Sequence, residues 1–165
     1  MRAGAPLLAV VAVLTACAQM GEAEARAMLA RWFVPGDSLY FKSKSTCTAA
    51  VYSLRSGAVK SALPVAGNVD EALARLEARG VLGMAHPEGT PDEAFIAVMN
   101  ADRAIGVGLQ NAAVGARACM DDATQGILNQ LLKTRGAVLA FDPETGLVAI
   151  MDPGAGLVVL AGGAG

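Results

Sequence analysis

The side chains in this sequence that could do chemistry are few: three cysteines, Cys17, Cys47 and Cys119, and a single histidine, His86. A metal site or a catalytic thiol at Cys47 or Cys119 would need partners of a similar kind nearby, and one histidine offers little choice. In an oxidising compartment an even pair of cysteines indicates a disulfide. This one would close a loop of about 70 residues, for which the chain-entropy model gives about 4 kcal/mol. Cys47 and Cys119 are therefore predicted to form a disulfide, and free buried cysteines and thiol chemistry remain the alternatives.

His86 is followed by Pro87 and Glu88 in a stretch bounded by glycines. A catalytic or metal-binding histidine would need carboxylates or thiols converging on it, and the nearest carboxylates along the chain are Glu88, Asp92 and Glu93. The last two are explained by the start of a helix, where acidic residues are common. We therefore expect His86 to be solvated or hydrogen-bonded to its own loop.

Asp121 and Asp122 are adjacent carboxylates that a shared catalytic site could use, but a helix cap explains at least one of them. The sequence contains no G-x-S-x-G, H-E-x-x-H or G-x-x-x-x-G-K-[ST] motif. Gly106-Val107-Gly108 lacks the preceding strand and the third glycine of a dinucleotide-binding loop. No catalytic residue, metal or cofactor is predicted, and a hydrolase is the least favoured function.

A basic stretch of the chain is a candidate contact for an anionic surface. No acidic residue occurs between Asp37 and Asp70. The residues of interest in this stretch are Tyr40, Lys42, Lys44, Arg55 and Lys60. In a strand, Lys42 and Lys44 share one face with Tyr40, and each charge near an anionic membrane contributes about 1 kcal/mol. The alternative is a solvated sheet edge that lysines protect from pairing.

The first cysteine directly follows an apolar run. Residues 5–16 are almost wholly apolar and follow one basic residue, Arg2. The run is shorter than the roughly 20 residues that a membrane-spanning helix needs. A short apolar core behind a positive start is typical of a secretory signal peptide.

The segment Leu14-Thr15-Ala16-Cys17 resembles the lipobox of bacterial lipoproteins, in which an aliphatic residue and two small residues precede the cysteine. The resemblance covers only residues 1–19. It implies that the Cys17 thiol receives a diacylglyceryl group, that residues 1–16 are removed, and that the new amino terminus is acylated. The alternative is ordinary cleavage after Ala18, because Ala16-Cys17-Ala18 also fits the A-x-A pattern.

The resemblance also implies a cellular location for the mature protein. Several acyl chains on one cysteine hold a protein firmly on a membrane without a spanning helix. Ala18, rather than an aspartate, follows the cysteine, which favours the outer membrane, facing the periplasm. Residues 17–21 are too few for a long tether, so we expect the domain to lie close to the bilayer.

Composition indicates one globular domain over residues 22–161, with a frayed tail at 162–165. Hydrophobic residues make up 54% of the chain but aromatic residues only 4%, so the core must be built largely from Ala, Val, Leu, Ile and Met. The net charge of −2 lacks the basic excess of a nucleic-acid-binding protein.

Periodicity and capping signals predict the elements. The expected helices are a first one over "GEAEARAMLARWF" that Pro35-Gly36-Asp37 stops, a second between Asn68 and Gly80, a third from Pro91 to at least Ala104, and a last one from Asp121 or Asp122 to Leu132. The expected strands are 38–43 and 46–54. "VLGMAHPEG" is expected to be a partly buried connection.

The tail repeats the pattern D-P-x-x-G at 142–146 and 152–156, between the apolar runs "AVLAF", "LVAIM" and "LVVLA". Proline and glycine in these turns predict a three-strand antiparallel meander. Both faces of its strands are apolar, so the sheet is expected to be covered on both sides or to pack on a partner. The fold class is α+β, with helices packed on an antiparallel sheet.

These features predict a membrane-anchored envelope lipoprotein that acts as a non-enzymatic interaction or structural accessory module. Its expected partners are the membrane, through lipidated Cys17, and an envelope protein, through the C-terminal meander. The alternative is a domain that binds a small ligand in a cavity lined by Ala, Val and Met between the helices and the meander.

Overall fold

The computed structural model describes residues 19–163, so the predicted leader and Cys17 lie outside the described residues. Over this range the chain forms five α-helices, one 3₁₀ turn and seven strands. In chain order these are α1 (Glu22–Trp32), β1 (Val34–Lys44), β2 (Cys47–Ser56), β3 (Val65–Ala66), α2 (Val69–Arg79), β4 (Leu82–Met84), α3 (Pro91–Ala101), α4 (Arg103–Gly115), the 3₁₀ turn (Ala116–Cys119), α5 (Asp122–Leu132), β5 (Val138–Asp142), β6 (Leu147–Asp152) and β7 (Leu157–Gly163).

All seven strands belong to one sheet, in the order β1-β2-β7-β6-β5-β4-β3. Every neighbouring pair is antiparallel except β3 and β4, which run parallel over two residues each. The predicted α+β class is confirmed, and so is the C-terminal meander, because β5, β6 and β7 are consecutive neighbours.

The two D-P-x-x-G segments form the turns of the meander with matching hydrogen bonds. The buried Asp142 accepts backbone N–H groups of Glu144 and Thr145 on Oδ1, at 2.9 and 3.3 Å. Asp152 accepts the N–H of Gly154 at 2.8 Å. Each turn ends at a glycine with φ of +65°, a conformation that side chains other than glycine rarely adopt.

Both faces of the sheet are covered by the chain itself. On one face α2–α5 pack over alternate strand residues such as Val51, Phe141 and Ile150. On the other face α1 contributes Ala25, Leu29 and Trp32, and its C-cap residue contributes Phe33, to a second core. This core includes the intervening strand residues Tyr52, Ala140, Ala149 and Val158. This explains why the meander is apolar on both sides. Its apolar side chains are packed within the chain, and a partner would meet the meander mainly through its turns.

Three predicted helix starts are confirmed by their caps. Asn68 accepts the N–H of Glu71, and Asp121 accepts the N–H of Thr124. Thr90 and Glu93 exchange the two hydrogen bonds of a capping box, at 3.3 and 2.9 Å. A side-chain cap of this kind contributes about 1 kcal/mol.

The prediction that Pro35-Gly36-Asp37 stops the first helix was wrong in its detail, because α1 ends at Trp32 and these residues belong to β1. Proline is tolerated there because β1 is the edge strand of the sheet. The pairing of β1 with β2 shifts register around Pro35 and Ser38.

The predicted third helix is two helices. The helix is interrupted at Asp102. The Oδ1 atom of Asp102 accepts hydrogen bonds from the N–H groups of Ala104 and Ile105 and so caps α4. The segment predicted as a connection contains a strand, since Leu82–Met84 pair with β5 as β4.

The frayed tail was predicted to begin at residue 162, which is too early. Gly162 and Gly163 belong to β7, where they pair with Thr48 and Cys47. A Cβ on Gly163 would lie 2.5 Å from the Cα of Gly115 in α4. The end of β7 is therefore fixed by its pairing with β2 and by its close contact with α4.

Candidate functional site

The chain enters the fold at one end of the sheet. The Gln19 side chain donates a hydrogen bond to the carbonyl oxygen of Ser43 in β1, and Met20 packs against the core beneath α1. We call this end the hairpin end. It is formed by the β1–β2 turn at 45–46, the β5–β6 turn at 143–146 and the end of β7 at Gly163. The first described residues are therefore attached to the fold before α1 begins.

The disulfide also lies at the hairpin end. Cys47, at the start of β2, is bonded to Cys119, at the end of the 3₁₀ turn, with the two Cα atoms 5.8 Å apart. The Tyr40 hydroxyl donates a 2.6 Å hydrogen bond to the carbonyl oxygen of Cys119. Strand β1, strand β2 and the segment before α5 are thus joined at one place.

The structure divides the predicted basic patch. Lys42 and Lys44 are exposed near the β1–β2 turn and, as every second residue of β1, lie on the same face as Tyr40, as predicted. Arg55 lies at the opposite end of β2, where the neighbouring residues Leu54 and Ser56 pair with the start of β1.

Lys60 is separated from the patch for a different reason. Its backbone N–H donates to the carbonyl of Trp32 at 2.8 Å, and its Nζ donates to the carbonyl of Ala30 at 2.5 Å. The loop after β2 carries Lys60 to the C-terminal end of α1. Only Tyr40, Lys42 and Lys44 are therefore brought together.

Asp121 and Asp122 do not form a paired carboxylate site. Asp121 is the N-cap of α5, and Asp122 is the first residue of that helix. Hydrogen bonds from the side chain and backbone N–H of Thr124 hold the pKa of Asp121 below its usual value, and the positive charge of Lys42 lowers it further. Lys42 and Asp121 are thus near enough for their charges to attract, but within residues 19–163 no salt bridge joins them.

His86 is exposed in the loop after β4, where its Nδ1 accepts the N–H of Glu88 at 3.2 Å. The Glu88 carboxylate faces Arg135 at 3.4 Å, and Glu93 is occupied by the capping box. Among residues 19–163, no three His, Cys, Asp or Glu side chains are grouped so that they could hold a metal ion.

A cleft of about 270 Å³ opens at the other end of the sheet from the β1–β2 turn. It lies between the first turns of α2 and α3, above the end of β4 and the start of β5. Its walls are mostly apolar, and His86 and Asn68 lie among its lining residues. The apolar lining consists largely of Val69, Met84, Ala85, Ala94, Ala97, Ala137 and Leu139.

The sequence predicted an Ala-, Val- and Met-lined cavity between the helices and the meander, and the cleft lies at one edge of that region, against β4 and the start of β5. Ala94 and Ala97 are three residues apart on α3, and Ala137 precedes β5. Three small residues that face one another leave space where larger ones would fill the core. Their convergence depends on the crossing of α3 over β5, which periodicity does not reveal.

No family model, curated protein or solved structure matches this chain. Within residues 19–163, each helix falls short of the length and apolar character that crossing a bilayer requires.

Proposed function

We propose that this protein is a bacterial envelope lipoprotein, anchored through acylated Cys17 and acting as a non-enzymatic interaction or structural accessory module. The observation that carries the proposal is the lipobox-like segment Leu14-Thr15-Ala16-Cys17, which ends two residues before Gln19. Gln19 is already attached to β1 through Ser43, so a lipid on Cys17 would hold the folded domain directly.

The disulfide supports an oxidising compartment. Disulfides such as Cys47–Cys119 persist in the periplasm and are rare in the reducing cytoplasm. If the lipid occupies Cys17 of the exported protein, Cys47 and Cys119 are the two cysteines that remain to form a disulfide. The compartment and the pairing are therefore consistent with the same processing route.

The non-enzymatic assignment is supported by how the candidate side chains are used. Glu93 and Asp121 are helix-capping groups, and Glu88 pairs with Arg135. A partner protein that bound the meander would contact its turns at 143–146 and 153–156, because the strands between them are covered on both faces.

Lipid attachment is tested by metabolic labelling with a palmitate analogue and by intact mass of the membrane fraction. We expect the mature protein to lack residues 1–16, to carry acyl chains on Cys17, and to lose the label in Cys17→Ser. Ala18→Ser is the matched control, because it keeps the thiol and should keep the label. A mature product that starts at Gln19 without acyl chains would overturn the proposal and establish ordinary cleavage after Ala18.

A second candidate function is the binding of a small, mostly apolar ligand, and the cleft at α2 and α3 favours it. Its volume of about 270 Å³ is close to the lower limit of ligand pockets, roughly 300 Å³. Indole and 1-naphthol are suitable probes, with binding followed by NMR shifts of residues around Ala97. Ala97→Phe should fill the cleft and abolish the shifts, whereas Ala78→Phe, on the exposed face of α2, should leave them unchanged. Equal shifts in both variants would exclude the cleft as the binding site.

A further inference from the structure

We infer that the hairpin end of the sheet lies against the headgroups of the bilayer that holds Cys17, with Lys42 and Lys44 contacting anionic lipid phosphates. This inference rests on the proposed lipid anchor and adds an orientation and a contact surface to it.

The chain between the proposed anchor and the fold is short. Cys17 precedes Gln19 by two residues, and two residues span at most about 7 Å. The Gln19 side chain is hydrogen-bonded to the carbonyl oxygen of Ser43, the residue between Lys42 and Lys44. Acyl chains on Cys17 would therefore leave the protein close to both lysines.

The residue after Gln19 also contacts the fold. Met20 packs against the core beneath α1 and lines a shallow hollow at the hairpin end together with Lys44, Thr46 and Gly163. With Gln19 and Met20 both attached, the domain cannot pivot freely about a long linker. The hairpin end is therefore the part of the domain that a short anchor draws to the membrane.

The hairpin end also carries two lysines that can contact lipid phosphates. Lys42 and Lys44 are exposed, and within the described chain Lys44 forms no salt bridge. Lys42 is partly balanced by Asp121, and Glu144 lies in the neighbouring turn of the same end. The two lysines are thus matched in number by two carboxylates, so these residues give the end no excess of positive charge. The lysine ammonium groups therefore act through direct contacts with lipid phosphates, which orient a domain that the lipid already holds.

The orientation has a consequence for the cleft. β7 has seven residues, so the two ends of the sheet are about 20 Å apart at about 3.3 Å per residue. The cleft is lined by Met84 and Ala137, which lie at the end of β4 and before the start of β5. With the hairpin end on the bilayer, the cleft opens toward the aqueous side.

The test uses the acylated mature protein in nanodiscs that contain 30% phosphatidylglycerol and a trace of a gadolinium-chelate lipid. Paramagnetic broadening of backbone amides then reports which end of the sheet lies near the headgroups. We expect strong broadening at Ser45 and Thr46 and little at Gly154 and Ala155 in the opposite turn. Equal broadening at both turns, or the reverse order, would overturn the inference.

The contribution of the lysines is tested with two matched double variants. Lys42→Gln/Lys44→Gln should lose most of the difference in Ser45 broadening between phosphatidylglycerol-containing and pure phosphatidylcholine nanodiscs. Arg55→Gln/Lys60→Gln removes the same charge from residues away from the hairpin end and should keep that difference. An unchanged difference in the first variant would refute the phosphate contact.

Failure of the orientation and failure of the anchor give different results. A protein that does not associate with nanodiscs, and whose mass shows an unmodified amino terminus, would overturn both proposals. A protein that associates through acylated Cys17 but shows no broadening at Ser45 would overturn the orientation alone.

Discussion

The hydroxyl of Tyr40 donates a hydrogen bond of 2.6 Å to the carbonyl oxygen of Cys119. Tyr40 lies on the edge strand β1, and Cys119 ends the 3₁₀ turn that precedes α5. The disulfide from Cys119 continues to Cys47 on β2. One residue of the 3₁₀ turn thus fastens α4 and α5 to both strands of the β1–β2 hairpin.

Tyr40→Phe removes this hydrogen bond while keeping the ring. We expect the free energy of unfolding to fall by about 1–2 kcal/mol, because the carbonyl of Cys119 loses its partner. Tyr52→Phe is the control, since the Tyr52 hydroxyl lies 3.4 Å from the carbonyl oxygen of Glu22, a length at which little hydrogen-bond energy remains. Urea denaturation measures the free energy of unfolding of both variants. A larger loss of stability in Tyr52→Phe than in Tyr40→Phe would contradict the prediction.

Cys47→Ala/Cys119→Ala removes the disulfide and releases a long loop in the unfolded chain. We expect the free energy of unfolding to fall by about 2–4 kcal/mol, mainly because the unfolded state gains conformational freedom. Denaturation with and without reductant supplies the control: reductant should destabilise the native protein by a similar amount and leave the double variant unchanged. A native protein insensitive to reductant while its thiols titrate as free would show that the bond contributes no stability.

Gly106→Ala and Gly126→Ala should have opposite effects, although both residues lie inside helices. A Cβ at Gly106 would meet the Cα of Met99 at 2.4 Å, whereas a Cβ at Gly126 would have nothing within 4 Å. We expect Gly106→Ala to lose about 1–3 kcal/mol through the clash between α3 and α4. Gly126→Ala should gain about 0.5–1 kcal/mol from helix propensity. Thermal denaturation measures both effects. Stabilisation by Gly106→Ala would show that α3 and α4 can move apart to accept the methyl group without a loss of stability.

Asp121 gives a prediction about acid stability. Its pKa is lowered in the fold by the hydrogen bonds from Thr124, so the ionised carboxyl stabilises α5 above its unfolded pKa of about 3.9. That contribution is lost as pH falls through the lowered folded value. Asp121→Asn keeps a capping oxygen that does not titrate, and its stability should fall less steeply than that of the native protein from about pH 5 to about pH 2.

Asp122→Asn is the control for the acid measurement, because it removes the adjacent carboxyl and leaves the Asp121 cap in place. Its stability should follow the slope of the native protein. Urea denaturation at each pH provides the comparison. If Asp121→Asn and the native protein kept the same slope, the Thr124 hydrogen bonds would not be the source of the acid sensitivity.

The features predicted well are those that depend on neighbours in sequence. Thr90 and Glu93 make their capping box within one helical turn, and each D-P-x-x-G segment supplies its own Asx hydrogen bonds and its own glycine. Local chemistry of this kind needs no knowledge of what packs above it, so the sequence is sufficient for it.

The features predicted poorly depend on packing between distant segments. The break at Asp102 lets Gly106 pack directly on the backbone of Met99, and no helix propensity specifies that contact. β4 is three residues long and is a strand because β5 lies beside it. Lys60 leaves the basic patch because the loop after β2 is tied to the end of α1. The cleft likewise requires α2, α3, β4 and β5 to be in place.

The helix α1 covers one face of the sheet, and its core residues Ala25, Leu29 and Trp32 are almost fully buried. A protease that cut within α1 would strip this cover and leave apolar strands open to water and to aggregation. For the proposed lipid anchor at Cys17, release of an intact domain would have to occur upstream of Glu22, in a segment of a few residues that includes Gln19 and Met20, both of which contact the fold. On that proposal, a cut that releases the domain and a cut that exposes its apolar strands would lie only a few peptide bonds apart.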